Sequence, residues 1–254
     1  MKVINTPEEF KKIRDTLNGK KIGFVPTMGG LHNGHLSLVK KAKAENDVAV
    51  VSVYLNETQF NDKNDLVTYP ANFDDDKALL EKAGVDYLFA PNYAGMYPDD
   101  YRYMVTEKDF SKKLCGAKRP GHFDGVLTVV MKLFNIVRPT NAYFGEKDFQ
   151  QLTLLRGMVE AFFMNINLIG CPVVREENGL AISSRNRKLS IEGLAKAPEF
   201  HKIMAQGGSD AEITANLEKA GFKVDYVTTI DGRLYAAVFL EDVRLIDNIP
   251  ASKN

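Results

Sequence analysis

Two histidines three residues apart, His32 and His35, are the residues of this sequence best suited to chemistry. They follow the glycine-rich turn Pro-Thr-Met-Gly-Gly-Leu and come just before a helix-forming stretch. If that helix begins near them, both imidazoles lie at its N-terminus, where unpaired N–H groups and the macrodipole favour an anion. The residue types and their spacing therefore predict a phosphate site with two imidazole donors.

The residues alone leave three interpretations of this pair open. It is a phosphate site, an ordinary strand-to-helix turn with two solvated histidines, or part of a zinc site. Zinc sites need three or four ligands in suitable geometry. No third ligand lies nearby in the sequence, which disfavours zinc.

The stretches around the pair predict a strand, a helix and a second strand. Residues 22–25 form an apolar run before the turn, 36–45 favour a helix, and the Val-rich run 48–55 is typical of a strand buried on both faces. Ligands of parallel sheets bind at the carboxyl ends of the strands. Gln59 follows the second strand and is expected at that edge, where its amide can donate and accept; a solvated loop side chain is the alternative.

The rest of the chain continues this pattern and then changes it. Strands are predicted over 85–90, 141–144 and 166–170, and helices over 74–83, 126–137, 149–162 and 190–204. Alternating strands and helices predict an α/β fold with a Rossmann-like parallel sheet. A capping box at Ser209 and Glu212 and two strands joined by Asp231–Gly232 predict a smaller α+β domain at the C-terminal end. The predicted domains are residues 1–177 and 178–254.

Composition narrows the function classes. The 254 residues include 33 basic and 33 acidic side chains, a balance that argues against a general binder of nucleic acid or membrane surfaces. Hydrophobic residues make up 44%, enough for a substantial core. No apolar signal region or transmembrane-length stretch is evident, so a cytoplasmic enzyme is expected. Cys115 and Cys171 lack metal-type spacing and are expected to be reduced structural thiols.

Other residues fit phosphate chemistry less specifically. Lys147 follows a strand and Gly145, where an ammonium can neutralise a phosphate; a solvated lysine is the alternative. The run Ser-Ser-Arg at 183–185 suits a triphosphate, although it also fits a linker between domains. Asp75 and Asp76 open a predicted helix, where carboxylates either favour the helix dipole or help to hold Mg²⁺.

Several segments together resemble one family, the pantothenate synthetases or pantoate–β-alanine ligases, within the HIGH-type nucleotidyltransferases that transfer AMP from ATP. The first is the turn with its H-N-G-H motif. The others are 56–60, R-P-G-H-F-D-G-V-L-T-V-V at 119–130, F-G-E-K-D-F-Q-Q at 144–151, I-S-S-R-N at 182–186 and R-L-I-D-N at 244–248. Their order along the chain makes the resemblance specific.

The resemblance implies a two-step reaction. The pantoate carboxylate attacks the α-phosphorus of ATP and releases pyrophosphate. The amine of β-alanine then attacks the pantoyl adenylate, which gives pantothenate and AMP. Because a mixed anhydride hydrolyses readily, water must be excluded, and the smaller C-terminal domain is expected to act as a lid.

The resemblance also implies roles for individual residues. Four are implied to act in catalysis, namely His35, as a proton donor, with His32, Lys147 and Arg185. ATP binding is implied for Met28, Gly29, Gly30, Leu31, His32, Asn33, Gly34, His35, Gly145, Glu146, Lys147, Asp148, Val174, Ile182, Ser183, Ser184 and Arg185.

Further implications concern the other ligands and the assembly. Gln59 and Gln151 match the glutamines that hold pantoate, and are expected to lie in the pantoate and β-alanine site. Asp75 and Asp76 match acidic positions near Mg²⁺. The partners implied are pantoate, β-alanine and ATP, with no nucleic acid and no membrane, and the family suggests a homodimer.

The sequence departs from the family's pattern in places. Glu57 stands where the family has proline, Ala71 stands where it has arginine after Tyr-Pro, and the chain from about residue 187 is shorter than usual. Another small HIGH-type adenylyltransferase would not be expected to carry both glutamines and the R-P-G-H-F segment. An aminoacyl-tRNA synthetase would need an anticodon domain and a basic face. A non-catalytic nucleotide-binding descendant is disfavoured by the retained His, Lys and Arg residues, but the departures keep it open.

Overall fold

The computed structural model describes residues 1–251, except for the side chain of Lys63. Residues 252–254 of the predicted C-terminal domain lie outside this range. The chain divides into two compact units. The first consists of Met1–Glu146 and Gln150–Cys171, and the second of Lys147–Phe149 and the chain from Pro172 onward. A three-residue segment from the middle of the sequence thus belongs to the second unit.

The first unit is built from alternating strands and helices. In chain order they are β1 (Lys2–Ile4), α1 (Pro7–Thr16), β2 (Ile22–Thr27), α2 (Asn33–Glu45), β3 (Val48–Val53), α3 (Lys63–Val67), α4 (Phe73–Lys82), β4 (Tyr87–Phe89), α5 (Tyr93–Met96), α6 (Cys115–Lys118), α7 (His122–Val137), β5 (Asn141–Gly145), α8 (Phe149–Ala161) and β6 (Asn167–Cys171). Short 3₁₀ turns cover Glu57–Gln59 and Phe110–Lys112, and a third, Glu146–Asp148, begins in this unit and continues into the segment that belongs to the second.

The six strands of this unit form one parallel sheet in the order β1-β4-β3-β2-β5-β6. Its central strands are buried on both faces, as their continuous apolar runs require. Phe24 of β2 lies opposite Val50 of β3 and Ala142 of β5, which places the carboxyl ends of these strands at one edge. The predicted α/β fold with a parallel sheet is confirmed.

The second unit has its own helices and sheet. They are a 3₁₀ turn (Ser184–Lys188), α9 (Ile191–Lys196), α10 (Pro198–Gln206), α11 (Asp210–Lys219), β7 (Lys223–Ile230), β8 (Arg233–Leu240) and β9 (Val243–Pro250). The strands are antiparallel in the order β7-β8-β9. Their apolar face packs with residues of α10 and α11, among them Phe200, Met204 and Leu217. This matches the predicted smaller α+β part.

Local chemistry explains several element boundaries. Ser209 and Glu212 form the predicted capping box of α11. Asp231 and Gly232, with φ of 51° and 73°, make the predicted tight turn between β7 and β8. The helix predicted over 190–204 is instead two helices, because Pro198 lacks an N–H and starts α10.

Other elements differ from expectation at their ends. The strand β1 was not predicted, and α2 begins at Asn33 because His32 caps it. Helix α7 begins at His122 rather than 126. Within residues 1–251, none of the helices has the length and apolar character needed to span a membrane.

Candidate active site

The candidate site of the first unit lies where the strand order reverses. The chain leaves β2 first toward β3 and β4, and later returns to the other side as β5 and β6. Such a reversal opens a ligand crevice at the carboxyl ends of the strands. The glycine turn and histidines follow β2, Asn56 to Gln59 follow β3, and Glu146 follows β5. The structure thus gathers most of the predicted site residues of this unit at one edge.

The glycine turn is held in place by the carboxylate of Asp76. Its Oδ2 accepts from the backbone N–H of Gly30 at 2.9 Å and its Oδ1 from that of Leu31 at 2.7 Å. Gly29 and Gly30 have φ of 83° and 65°, a region that favours glycine. A Cβ on Gly29 would lie 2.7 Å from Asp76 Oδ2, so the turn also requires a residue without a side chain at this position.

His32 is the N-cap of α2. Its extended backbone precedes the helix, and its Nδ1 accepts a hydrogen bond from the backbone N–H of Gly34 at 3.1 Å. The rings of His32 and His35 lie with centroids 4.1 Å apart and a tilt of 34°. The structure therefore brings the two predicted imidazoles together at the first turn of a 13-residue helix.

This cap decides which nitrogen of His32 carries its proton. A backbone N–H can only donate, so Nδ1 is the acceptor and the hydrogen of a neutral ring sits on Nε2. The first turn of α2 itself carries no acidic side chain, so no carboxylate of the helix competes with an anion for the positive end of its dipole. Both features suit an anion.

Gln59 is buried, with 8% of its surface exposed, and its amide orientation is set by a chain of hydrogen bonds. Asn56 Nδ2 donates to Gln59 Oε1 at 2.9 Å, and Tyr97 Oη donates to Asn56 Oδ1 at 2.7 Å. Burial raises the pKa of Tyr97, so the phenol keeps the proton it donates. Since the Gln59 oxygen accepts from Asn56, its NH₂ group remains as a donor.

The R-P-G-H-F segment supports the same glutamine from the other side. His122 Nδ1 lies 2.8 Å from Gln59 O, and Arg119 Nη1 lies 3.1 Å from His122 Nε2. A carbonyl only accepts and a guanidinium only donates, so His122 carries its hydrogen on Nδ1. A Cβ on Gly125 would lie 2.6 Å from Thr58 O, which shows how closely α7 approaches this turn.

Sequence reasoning missed Asn56 and Tyr97 as supports of Gln59. Asn56 is 1% exposed and lies three residues before Gln59, so a buried N-x-x-Q after a strand was the available signal. It also missed Gln150, whose amide binds Cys115 N, Phe110 O and Lys113 O and so orders the loop before α7. Gln151, the predicted ligand, is the half-buried next residue of α8.

The predicted magnesium residues have different surroundings. Asp75 is exposed in the first turn of α4, whereas Asp76 is 2% exposed and binds two backbone amides. Among residues 1–251, no group of three or more His, Cys, Asp or Glu side chains could hold a metal ion. These residues therefore do not form a protein cage for Mg²⁺, and a magnesium role for the two aspartates stays a prediction.

The family departures lie near these elements. Glu57 is exposed at the start of the 3₁₀ turn that ends at Gln59. The Cβ of Ala71 lies 3.2 Å from where a Cβ of Gly29 would be, beside the glycine turn.

The two cysteines are free and buried, as expected, and burial raises the pKa of Cys171.

The second unit contains the remaining predicted phosphate residues. Lys147 and Asp148 belong to the segment 147–149, with Lys147 Nζ 3.9 Å from Asp148 Oδ2. Ser183 caps the 3₁₀ turn that follows, and its Oγ accepts from Arg185 N at 3.3 Å. Ser184 is 5% exposed.

Two predicted nucleotide contacts are neighbours in this unit. Ile182 N donates to Val174 O at 3.0 Å, beside a bridge between Arg175 and Ala181. Arg175 binds Asp247 through both Nη atoms, at 2.6 and 2.9 Å. Burial raises the pKa of Asp247, but hydrogen bonds from His201 and Arg175 outweigh it, so its pKa lies below the ordinary value.

Comparison with known sequences gives a family match over nearly the whole chain. The model of the family described as pantoate-beta-alanine ligase matches residues 2–250. A protein of Bdellovibrio bacteriovorus named pantothenate synthetase is 54% identical over 247 residues, which cover 97% of this chain and 98% of the relative. One of the same name from Coxiella burnetii is 48% identical over 253 residues, covering 100% and 98%.

Solved structures agree with the sequence comparison. A pantoate-beta-alanine ligase from Francisella tularensis, complexed with beta-gamma ATP and beta-alanine, is 42% identical with a TM-score of 0.93, over 98% of this chain and 97% of that chain. A pantothenate synthetase from Thermus thermophilus is also 42% identical, with a TM-score of 0.89 over 98% and 99% of the two chains.

Proposed function

The chain belongs to the pantoate-beta-alanine ligase family, and we propose that it joins pantoate to β-alanine with ATP, giving pantothenate, AMP and pyrophosphate. The observation that carries this proposal is the family match over residues 2–250, because it includes residues of both units. Two departures, at Glu57 and Ala71, leave every proposed phosphate ligand in place.

In the first step, an oxygen of the pantoate carboxylate bonds to the α-phosphorus of ATP and the bond to the bridging oxygen of pyrophosphate breaks. We assign stabilisation of the negative charge at the α-phosphoryl group to His32, His35 and the N-terminus of α2. The proposal is supported by the cap on His32 Nδ1, which leaves Nε2 as the donor. Such preorganised donors lower the barrier because they need no rearrangement as charge develops.

Gln59 and Gln151 hold pantoate in this proposal. The Gln59 NH₂ group is a fixed donor, since Asn56 occupies its oxygen. Holding the carboxylate in line with the phosphorus makes the step effectively intramolecular, which is a large part of the catalysis available to such enzymes.

Lys147, Ser183, Ser184 and Arg185 hold the departing pyrophosphate. An ammonium and a guanidinium offset its charge, and the hydroxyls add hydrogen bonds. Met28 to His35, Gly145, Glu146, Asp148, Val174 and Ile182 complete the proposed ATP site. In the second step the β-alanine amine attacks the pantoyl carbonyl, the bond to AMP breaks, and the amine loses a proton.

Magnesium, a homodimer and a cytoplasmic location are further parts of the proposal. Magnesium is supported by the phosphates of ATP, which are its usual partners. The homodimer, the lid role of the C-terminal domain and the boundary at residue 178 are supported by resemblance to the family.

Product analysis tests the function. The protein is incubated with ATP, β-alanine and pantoate whose carboxylate oxygens are isotopically labelled. We expect pantothenate and AMP in equal amounts, with one label transferred to AMP, and no product when pantoate is omitted. Phosphopantetheine and nicotinamide mononucleotide replace pantoate in control reactions, and turnover with either one but not with pantoate would overturn the proposal.

A further inference from the structure

The segment Lys147–Phe149 packs on the sheet of the second unit. The ring of Phe149 lies 6.3 Å from that of Tyr235 on β8, centroid to centroid. The guanidinium carbon of Arg233 lies 3.6 Å from the centre of the Phe149 ring. Phe149 therefore anchors Lys147, the proposed phosphate ligand two residues before it, to strand β8.

A second contact holds Lys147 itself. Asn248 on β9 donates from Nδ2 to the backbone oxygen of Lys147 at 3.0 Å. Arg233 Nη1 donates to Asn248 Oδ1 at 2.6 Å, which fixes the amide so that its NH₂ group faces Lys147. Arg233 thus contacts both Asn248, which binds the backbone of Lys147, and Phe149, two residues further along the chain.

The strand register and a buried carboxylate keep Asn248 in position. Asn248 lies opposite Tyr235 in the β8–β9 pair. It is 4% exposed, and its backbone N–H donates to Asp247 Oδ1 at 2.8 Å. Asp247 is itself bound by Arg175 and by His201 Nδ1 at 3.0 Å. A buried amide with both ends engaged cannot rotate freely, so its geometry is imposed on Lys147.

We propose that Asn248, oriented by Arg233, is a positioning residue that sets where the Lys147 ammonium meets the phosphates of ATP. This inference rests on the phosphate role of Lys147 in the proposed function. It assigns a role to Asp247 and Asn248, the last two residues of the R-L-I-D-N segment. Neither residue has a role in the reaction as proposed above. Lys147 is 20% exposed at its side chain, so its backbone anchor limits where the ammonium reaches.

The first test is Asn248→Asp, which keeps the shape of the side chain and the acceptor for Arg233. It replaces the donor to Lys147 O with a second oxygen, and two oxygens repel. Misplacing a catalytic group by about 1 Å can lower the reaction rate by up to about 100-fold. We expect the Kd for the β,γ-methylene analogue of ATP to rise about tenfold, and the urea midpoint to fall because the Lys147 carbonyl loses a buried donor. Asn248→Ala is the second variant, and we expect the same direction.

Asp225→Asn is the matched control. It breaks the Asp225–Arg244 ion pair (2.8 Å) on the same sheet and leaves segment 147–149 untouched. We expect its Kd for the analogue to stay within about twofold of wild type, within the usual scatter of such contributions. A general loosening of the sheet would weaken binding in this variant as well, and that result would contradict a specific role for Asn248.

A double-mutant cycle with Lys147→Met separates positioning from mere structure. If Asn248 acts through Lys147, Asn248→Asp weakens binding in wild type but not in the Lys147→Met background. If the rise in Kd of the double variant equals the product of the rises in the two single variants, the two residues act independently and the proposal is overturned. A Lys147→Met variant with the wild-type Kd would also overturn it. Because the assay reads ATP alone, a protein that binds it but makes no pantothenate refutes the proposed function and leaves this inference standing.

Discussion

The backbone N–H of Gly34 donates to Nδ1 of His32 at 3.1 Å, so one side chain both caps helix α2 and presents Nε2 as a donor. A histidine is an unusual cap, because Ser, Thr, Asp and Asn are the common ones. Its use here ties the start of the helix to the tautomer of the imidazole. The structural and chemical roles of His32 can therefore be separated by substitution.

His32→Asn keeps a good cap and removes the imidazole. We expect a free energy of unfolding within about 0.5 kcal/mol of wild type and a rate of pantoate-dependent pyrophosphate exchange lower by about 100- to 1,000-fold. His32→Ala also loses the cap, so it is expected to be about 1 kcal/mol less stable. Urea denaturation and exchange kinetics of both variants measure the two effects. Exchange by His32→Asn at close to the wild-type rate would rule out the donor role.

Asp76→Asn tests the support of the glycine turn. An amide cannot offer two acceptor oxygens, so one backbone N–H at Gly30 or Leu31 loses its partner. We expect a loss of about 1–3 kcal/mol in the free energy of unfolding and a higher KM for ATP. Asp75→Asn is the matched control on the adjacent, exposed residue, with an expected change below about 0.5 kcal/mol. Equal stability losses in both variants would contradict this assignment.

The Asp75→Asn variant also tests the prediction that this residue helps to hold Mg²⁺. If Asp75 helps to hold Mg²⁺, Asp75→Asn needs more magnesium to reach half of its maximal exchange rate. Titration of exchange with MgCl₂ measures this, with wild type as reference. An unchanged magnesium midpoint in Asp75→Asn would remove this residue from the metal site.

Gln59→Glu tests how pantoate is held. Asn56 can still donate to a carboxylate oxygen, so the turn keeps its shape. The other oxygen replaces the NH₂ donor and faces the carboxylate of pantoate. We expect the KM for pantoate to rise by about tenfold or more, with the Kd for the ATP analogue little changed. A larger effect on ATP than on pantoate would contradict the proposed division of the site.

Asp247→Asn tests the buried carboxylate of the second unit. Its pKa lies below the ordinary value of 3.8, because the hydrogen bonds from His201 and Arg175 outweigh burial. A lowered pKa means that its contribution to stability is present above pH 3.8 and is lost as the pH falls through the folded-state value. The variant breaks a largely buried ion pair and is expected to lose about 3 kcal/mol at neutral pH.

The pH profile adds a second readout. We expect the stability gap between wild type and Asp247→Asn to narrow as the pH falls below 3.8. Asp242→Asn, at an exposed position in the turn before β9, is the control and is expected to match wild type. Urea denaturation followed by circular dichroism at neutral and acidic pH measures the gap. A gap that stays constant across the acidic range would contradict the pKa direction.

Local patterns predicted much of the fold. The turn after β2 and the capping box of α11 are set by residues within a few positions of each other, and both are confirmed. Short elements such as β1 carry too little periodicity to be predicted. Helix α7 begins earlier than its apolar run, directly after Gly121, whose φ of 80° lies in the region that favours glycine.

Long-range contacts explain what the sequence could not predict in the site. The sequence predicts Asp76 as one of the acidic residues that begin a helix, but its hydrogen-bond partners Gly30 and Leu31 lie 46 and 45 residues away in the sequence. Asn248 meets Lys147 across 101 residues. Neither pairing leaves a spacing or a composition that a single sequence reveals, so both supports had to be read from the structure.

Pyrophosphate exchange detects formation of the proposed pantoyl adenylate without the second step. Labelled pyrophosphate, ATP, Mg²⁺ and pantoate are mixed with the protein, and β-alanine is left out. The proposed pantoyl adenylate forms reversibly, so label is expected to enter ATP only when pantoate is present. Label that enters ATP without pantoate, or none at all while the ATP analogue binds, would contradict the account.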